Sequence, residues 1–365
     1  MSASAGGVAP HILHVLPQGD AREVIGAFGT KLRHSLVTAD GAMPDGLRQS
    51  AYLKPASNFP SLGGLPTPGR MQKLARALTP FDLVLTYGYD ALDVAMAHTL
   101  FKDAMELPPL IHHERELETR RSIKRTWYRR IALGKSAGLV VPGETLEEAA
   151  LVGWQQPMGR VKRIAPAIDT RAFAKQPGKD AFRLIKRDGE KWVGAWPSAS
   201  EGAGLADLVH AIAELPPEWQ LVVLGEDLRV SALEAQIDRL EINDRVFFPG
   251  AARDPAKVMG LFDIFVEPAS SRDFPVRVVQ AMAAGAPVVA PRGSESEQVL
   301  AEANHEWSFD GRTMLAANLR GLARDRAARK AIGEANRVKA VGEFDRDKVL
   351  ATYRRLYSSA MKREF

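Results

Sequence analysis

Two histidines stand side by side before a carboxylate in the run LIHHE, as His112, His113 and Glu114. Imidazoles titrate near neutral pH, so such a cluster could move a proton or bond to a substrate hydroxyl. Arg272 and Arg292 lie in loops next to expected helix starts, where guanidinium groups and unpaired backbone N–H groups can hold an anion. A third group is the run ERELETRRSIKRTWYRRIALGK, residues 114 to 135, which reads as a strongly basic helix. Ile123, Trp127 and Ile131 recur at i, i+4, i+8 on one stripe, and Arg121, Lys124, Arg125 and Arg129 lie on the other side. The plainer reading packs this helix by its apolar stripe and leaves its basic face in solvent. The sharper reading sets the basic face against anionic lipid headgroups, where each Lys or Arg contributes about 1 kcal/mol.

Parallel sheets must position these residues. Short β-branched runs alternate with helical patterns almost from end to end, the signature of α/β units. His11–Pro17, His34–Thr38, Phe81–Thr86, Leu110–His113, Gly138–Pro142 and Val161–Ile164 read as strands of the first half. Trp192–Trp196, Gln220–Gly225, Arg245–Pro249, Ile264–Glu267 and Pro287–Ala290 read as strands of the second, with helices at Gly204–Leu215, Ser231–Leu240 and Val276–Ala284. Between Thr170 and Lys191 the periodicity fades into charged and Gly-Pro text, a connector. The expected architecture is two doubly wound domains, 1–168 and 169–344, facing each other across a cleft. The amphipathic helix 345–365, with Leu350, Tyr353 and Leu356 on one side, is expected to pack back on the first domain. Ligands then belong beyond the carboxyl ends of the strands. The Pro/Gly/Ser-rich stretch 55–69 reads as a surface loop without chemistry, and Asp169 and Asp263 as caps or turn residues.

Composition narrows the function class. At 365 residues the chain suits two domains, and 45% hydrophobic with 25% charged residues is ordinary globular usage. With no cysteine, disulfides, thiolate metal sites and cysteine nucleophiles are excluded. No run reaches the ~18 apolar residues of a membrane span, and the start lacks the basic residues of a secretory signal. A cytoplasmic protein, at most peripheral at the inner face of a membrane, is expected. The net charge of +5 points to anionic partners. Nucleic acid is not expected among them, because no recognised module or stacking platform accompanies the charge.

The ordered set LIHHE (110–114), VVPGETLEEAA (140–150), RIAPAIDTRAF (163–173), WVGAW (192–196), WQLVVLGE (219–226), FFPGAARDPAKVMGLFDIFVEPASS (247–271) and VVQAMAAGAPVVAP (278–291) resembles family 4 of the retaining glycosyltransferases, of GT-B fold. The resemblance covers nearly the whole chain after residue 80. It implies a nucleotide diphosphate sugar as donor, a glycan or lipid-linked acceptor, hexosyl transfer in envelope or exopolysaccharide synthesis, and neither a metal nor another cofactor. It also implies a histidine touching the donor sugar, which falls on His112 and His113. Donor contacts fall on Gly19, Ser200, Arg272, Asp273, Phe274, Gln280 and Arg292.

The same comparison shows departures. The family's Arg and Lys after the first strand of the second domain fall on Ser200 and Ala203, with Glu201 adding negative charge. Its Glu-x7-Glu pair falls on Arg272 and Gln280, and its longer Gly-Gly loop on Gly19 alone. The apolar frame, Val278, Val279, Met282, Pro287 and Val288, is kept. A metal-free enzyme needs cations where a diphosphate leaves. Two readings therefore stay open: a working transferase in which Arg272 and Arg292 replace the lost cations, or a glycosyltransferase-derived protein without catalysis that binds a glycan, a lipid or an active paralogue.

Overall fold

A computed structural model describes residues 8–16, 22–44, 46–117, 122–174, 184–197, 202–225 and 231–365. The chain divides into two compact units, Met1–Ala165 with Val349–Phe365, and Pro166–Lys348.

The first unit is built on a seven-stranded sheet. Its strands are β1 (His11–Leu16), β2 (Arg33–Thr38), β3 (Leu53–Pro55), β4 (Leu83–Tyr87), β5 (Leu110–His113), β6 (Gly138–Val141) and β7 (Val161–Arg163). They lie in the order β3-β2-β1-β4-β5-β6-β7, and every pair is parallel. Helices cover both faces of such a sheet, so its strands are apolar throughout rather than alternating. Leu13, Val15 and Val84 accordingly share one core with Met71, Leu74 and Leu78 of the Pro68–Leu78 helix. That helix starts where its sequence dictates, with Thr67 accepting from the Arg70 N–H and proline in the first turn.

The second unit holds a five-stranded parallel sheet of β8 (Lys191–Ala195), β9 (Trp219–Leu224), β10 (Val246–Gly250), β11 (Ile264–Val266) and β12 (Val288–Val289). The order β10-β9-β8-β11-β12 repeats the doubly wound plan. Val193, Leu221, Val223 and Ile264 meet Leu208, Ile212, Leu315 and Leu319 of the flanking helices in its core. Asp263 is structural: it accepts from the Trp192 N–H at 2.9 Å and pairs with Lys186 at 2.6 Å.

Three expectations are corrected. The 55–69 stretch is preceded by an edge strand that the sequence did not announce, since Leu53–Pro55 pairs with β2 and takes in the first residue of that stretch. The basic helix is shorter than 114–135: it runs Ile123–Ala132, because Ser122 caps it by accepting from the Arg125 N–H. Its stripe is also not packed, for Ile123, Trp127 and Ile131 are 78%, 54% and 50% exposed. The C-terminal helix runs Arg346–Met361, and the residues it buries are Val349, Tyr357 and Ser358 rather than Leu350 and Leu356.

Candidate functional site

In doubly wound sheets ligands bind outside the carboxyl ends of the strands where the strand order reverses. That point lies between β1 and β4 in the first unit and between β8 and β11 in the second.

In the first unit Thr86 pairs in register with His112, and Tyr87 with His113. Successive strand residues face opposite sides, so the doubled histidine is split between the two faces of the sheet. On one face His112 Nδ1 meets the Thr86 hydroxyl at 2.9 Å, and its Nε2 lies 3.8 Å from Glu114. Glu114 is held in turn by Arg129 at 3.2 Å, whose guanidinium also lies over the rings of Tyr89 and Trp154. On the other face His113 stacks on Tyr87 with ring centroids 4.5 Å apart, and its Nε2 meets the hydroxyl of Tyr357 from the C-terminal helix at 3.1 Å. His14 extends this second network, from Tyr87 at 3.3 Å to His34 at 2.9 Å.

His112 is 0% and His113 4% exposed, so the expected catalytic pair is two buried imidazoles with separate partners. Burial lowers the His113 pKa to about 3 and the His34 pKa to about 4, and pushes that of His14 well down; all three rings are neutral near neutral pH. Arg129, expected on the surface with Lys124 and Arg125, is buried against Glu114, while Lys124 and Arg125 are exposed. Arg121 and Gly19 lie outside the described residues.

In the second unit Trp196 follows β8 and Glu267 follows β11, both buried at the reversal point. The Val276–Ala283 helix starts beside them and buries Val278, Val279 and Met282. One residue of its first turn escaped the sequence reading. The Arg277 guanidinium lies 3.9 Å from the centre of the Trp196 ring, and its Nη1 donates to Gln280 Oε1 at 3.0 Å. Burial lowers its pKa, yet a guanidinium keeps its proton at any physiological pH. Among the described residues it pairs with no carboxylate. The signal was present in VRVVQ: an arginine three residues before Gln280 shares a helix face with it.

The other expected donor contacts are placed as follows. Arg272 and Asp273 are exposed in the loop before the helix, where the Asp273 N–H donates to the Ser271 hydroxyl at 3.1 Å. Phe274 packs edge-on against Phe344 with centroids 5.8 Å apart, a packing contact that anchors the loop. Arg292, expected as a replacement cation, points to Asp310 at 3.5 Å and to the Ser308 carbonyl at 3.4 Å, so its charge is already matched. Ser200 lies outside the described residues. The loop after β11 is held close to the helix Gly202–Ala213: a Cβ built on Gly204 would sit 2.2 Å from the Pro268 carbonyl oxygen, so only glycine fits. Among the described residues no group of three or more His, Asp or Glu stands where it could hold a metal ion.

Residues 179–339 match the family described as Glycosyl transferases group 1. The Anabaena protein HepE, solved in complex with UDP, superposes with a TM-score of 0.74 over 96% of this chain and 99% of that one, at 18% identity. The chain has the GT-B fold, and its match to the group 1 glycosyl transferases is confined to residues 179–339. A glycosyltransferase of Rickettsia africae shares the fold with a TM-score of 0.78 at 15% identity, over 97% of this chain and 99% of that one. The N-acetyl-alpha-D-glucosaminyl L-malate synthase of Bacillus anthracis is 22% identical over 160 residues, 43% of this chain. That match spans 42% of the synthase's own length. These likenesses agree with the resemblance to family 4 carried by the motifs. The GT-B frame accounts for the apolar positions 278, 279, 282 and 288 as core of the group 1 segment.

Proposed function

We propose that the protein transfers a hexosyl unit from a nucleotide diphosphate sugar to a glycan or lipid-linked acceptor, with Arg277 as the cation that meets the donor's diphosphate. The observation that carries this reading is the half-buried Arg277 at the reversal point of the second sheet, stacked on Trp196 and bonded to the neutral amide of Gln280. A charge taken out of water without a carboxylate partner is unfavourable by itself and is compensated when an anion arrives. The first turn of the helix adds oriented backbone N–H groups beside it. The diphosphate gains negative charge as the sugar leaves, so a cation fixed there acts most strongly in the transition state, and removing one such group lowers the rate by about 10² to 10³. UDP and UDP-glucose are bound by the Anabaena neighbour, which supports a nucleoside diphosphate ligand here.

Thermal melts with a panel of nucleoside diphosphates and nucleotide sugars test the donor. A ligand at a hundred times its Kd adds about 2.7 kcal/mol of stability. No upward shift from any member of the panel would defeat the reading. The alternative, a binding protein without catalysis, is favoured by Ser200 and Ala203 standing where the family carries Arg and Lys. Donor hydrolysis or transfer that disappears in Arg277→Ala excludes it. For the acceptor, the exposed stripe of Ile123, Trp127 and Ile131 beside Lys124 supports docking on an anionic lipid surface, where a glycan on a lipid carrier would be found.

A further inference from the structure

The first unit carries a second recess away from its carboxyl strand ends. It lies over the amino-terminal part of β1 and β2 and the edge strand β3, and has a volume of about 510 Å³, within the range of small-molecule sites. Strand register explains its chemistry. His11 pairs with Arg33, and Ser35 with Lys54, while Leu13 pairs with Ser35; these side chains therefore share one face of the sheet. Further along that face Leu13, Val15 and Val37 enter the apolar core beneath the Pro68–Leu78 helix. At the sheet edge the same face turns polar.

His11 Nε2 meets the buried Ser35 hydroxyl at 2.9 Å, and the His11 ring leans on Phe81 with centroids 4.6 Å apart. Burial, with the Arg33 charge next, lowers the His11 pKa, so its ring is a neutral partner near neutral pH. Arg33 and Lys54 are exposed at the rim, Arg33 steadied by the Ala9 carbonyl at 3.1 Å. Phe59, from the loop first read as without chemistry, and Phe81 supply aromatic walls. None of the described lining residues is acidic, and the adjacent Asp82 carboxylate is engaged by the His11 backbone N–H, which donates to it at 2.6 Å. Two cations, a hydroxyl, an imidazole and aromatic walls, in a recess far larger than a bare phosphate fills, define one ligand class.

We propose that this recess binds a phosphomonoester carried on a ring, a sugar phosphate or a nucleoside monophosphate, with Arg33 and Lys54 on the phosphate and Phe59 and Phe81 on the ring. It is a different site from the donor site around Arg277 and does not depend on that assignment. Calorimetric titration of the full chain with glucose 6-phosphate, AMP, inorganic phosphate and glucose tests it, beside the double variant Arg33→Ser/Lys54→Ser. Both substituted side chains are exposed, so the double variant should melt with the wild type. The expected result is binding of a phosphomonoester by the wild type, weakened about tenfold or more in the double variant, and no heat from glucose. Tighter binding of glucose 6-phosphate than of AMP identifies a sugar phosphate, and the reverse order a nucleotide. Three results would overturn the proposal: no heat from either ester, equal affinity in the double variant, or inorganic phosphate binding as tightly as the esters.

Discussion

Gln280 bonds to Arg277 at 3.0 Å through an amide oxygen, and the charge of that oxygen decides what Arg277 can do. A carboxylate there would pair with the guanidinium and leave nothing for an incoming diphosphate. Gln280→Glu, which restores the residue that the family resemblance implies, should therefore weaken UDP binding by about tenfold or more, as a competing buried charge pair does. Arg277→Ala should weaken it at least as much, and Arg292→Ala should not, because Arg292 already faces Asp310. Calorimetric UDP titrations of the three variants check this; tighter binding in Gln280→Glu, or a larger loss in Arg292→Ala than in Arg277→Ala, would refute the assignment. At this scale the sequence was half legible. The replaced positions, Arg272 and Gln280, could be read from motif spacing, but the compensating arginine stood among valines of an apolar helix, where a periodicity reading looks for core. The doubled histidine misled for a related reason: adjacent residues on a strand point to opposite faces, so adjacency in the text separates His112 from His113 in space.

Whole elements were read more securely than single residues, because a parallel sheet buried on both faces writes its strands as apolar runs. The exceptions are informative. The three-residue strand β3, Leu-Lys-Pro, sits at the sheet edge just before Pro-Ala-Ser text and has no such run to show. The basic helix displayed a stripe that sequence alone assigns to the interior, yet the helix is held by Arg129 to Glu114 and leaves Ile123, Trp127 and Ile131 outside. Ile123→Ser/Trp127→Ser should accordingly leave the melting temperature almost unchanged, where burying the stripe would make the same change cost several kcal/mol. The same variant should lose sedimentation with vesicles rich in anionic lipid; wild type that ignores such vesicles removes the lipid surface from the acceptor reading. Packing at the reversal point gives the opposite expectation. Gly204→Ala sets a methyl group 2.2 Å from the Pro268 carbonyl, a backbone atom that cannot swing aside, so it should destabilise the protein by about 1–3 kcal/mol in thermal melts. An alanine variant as stable as wild type would mean that the helix and the loop after β11 are not in contact.

Across the molecule the buried imidazoles are unevenly shared. Burial lowers the pKa of His11, His14, His34, His98 and His113, all of the first unit. For His34 and His98 burial lowers it to about 4, and for His113 to about 3. Above pH ~6.5 these rings are neutral whether the chain is folded or not, so they impose no pH dependence. As the pH falls below that value the unfolded chain takes up protons that the folded unit refuses until its own lowered pKa is reached. Stability is therefore lost on acidification, by about 1.4 kcal/mol per pH unit for each of His34, His98 and His113, between pH ~6.5 and their folded values near 3 to 4. The carboxylates begin to contribute only below about pH 5, which leaves the interval above it to the imidazoles. The second unit has only two histidines, His210 and His305, and His305 is exposed. Chemical denaturation between pH 7.5 and 5.5, followed by hydrogen exchange at the amides of β1 and β5 against those of β8 and β9, should show protection falling in the first pair and holding in the second. Equal loss in both would place the acid sensitivity elsewhere. His98→Gln should flatten the first unit's decline, because among the described residues this ring bonds only to the Pro108 carbonyl, to which its Nε2–H donates at 2.9 Å, and it lies apart from the His14–Tyr87–His113 network, so its proton uptake can be removed without unpicking the others.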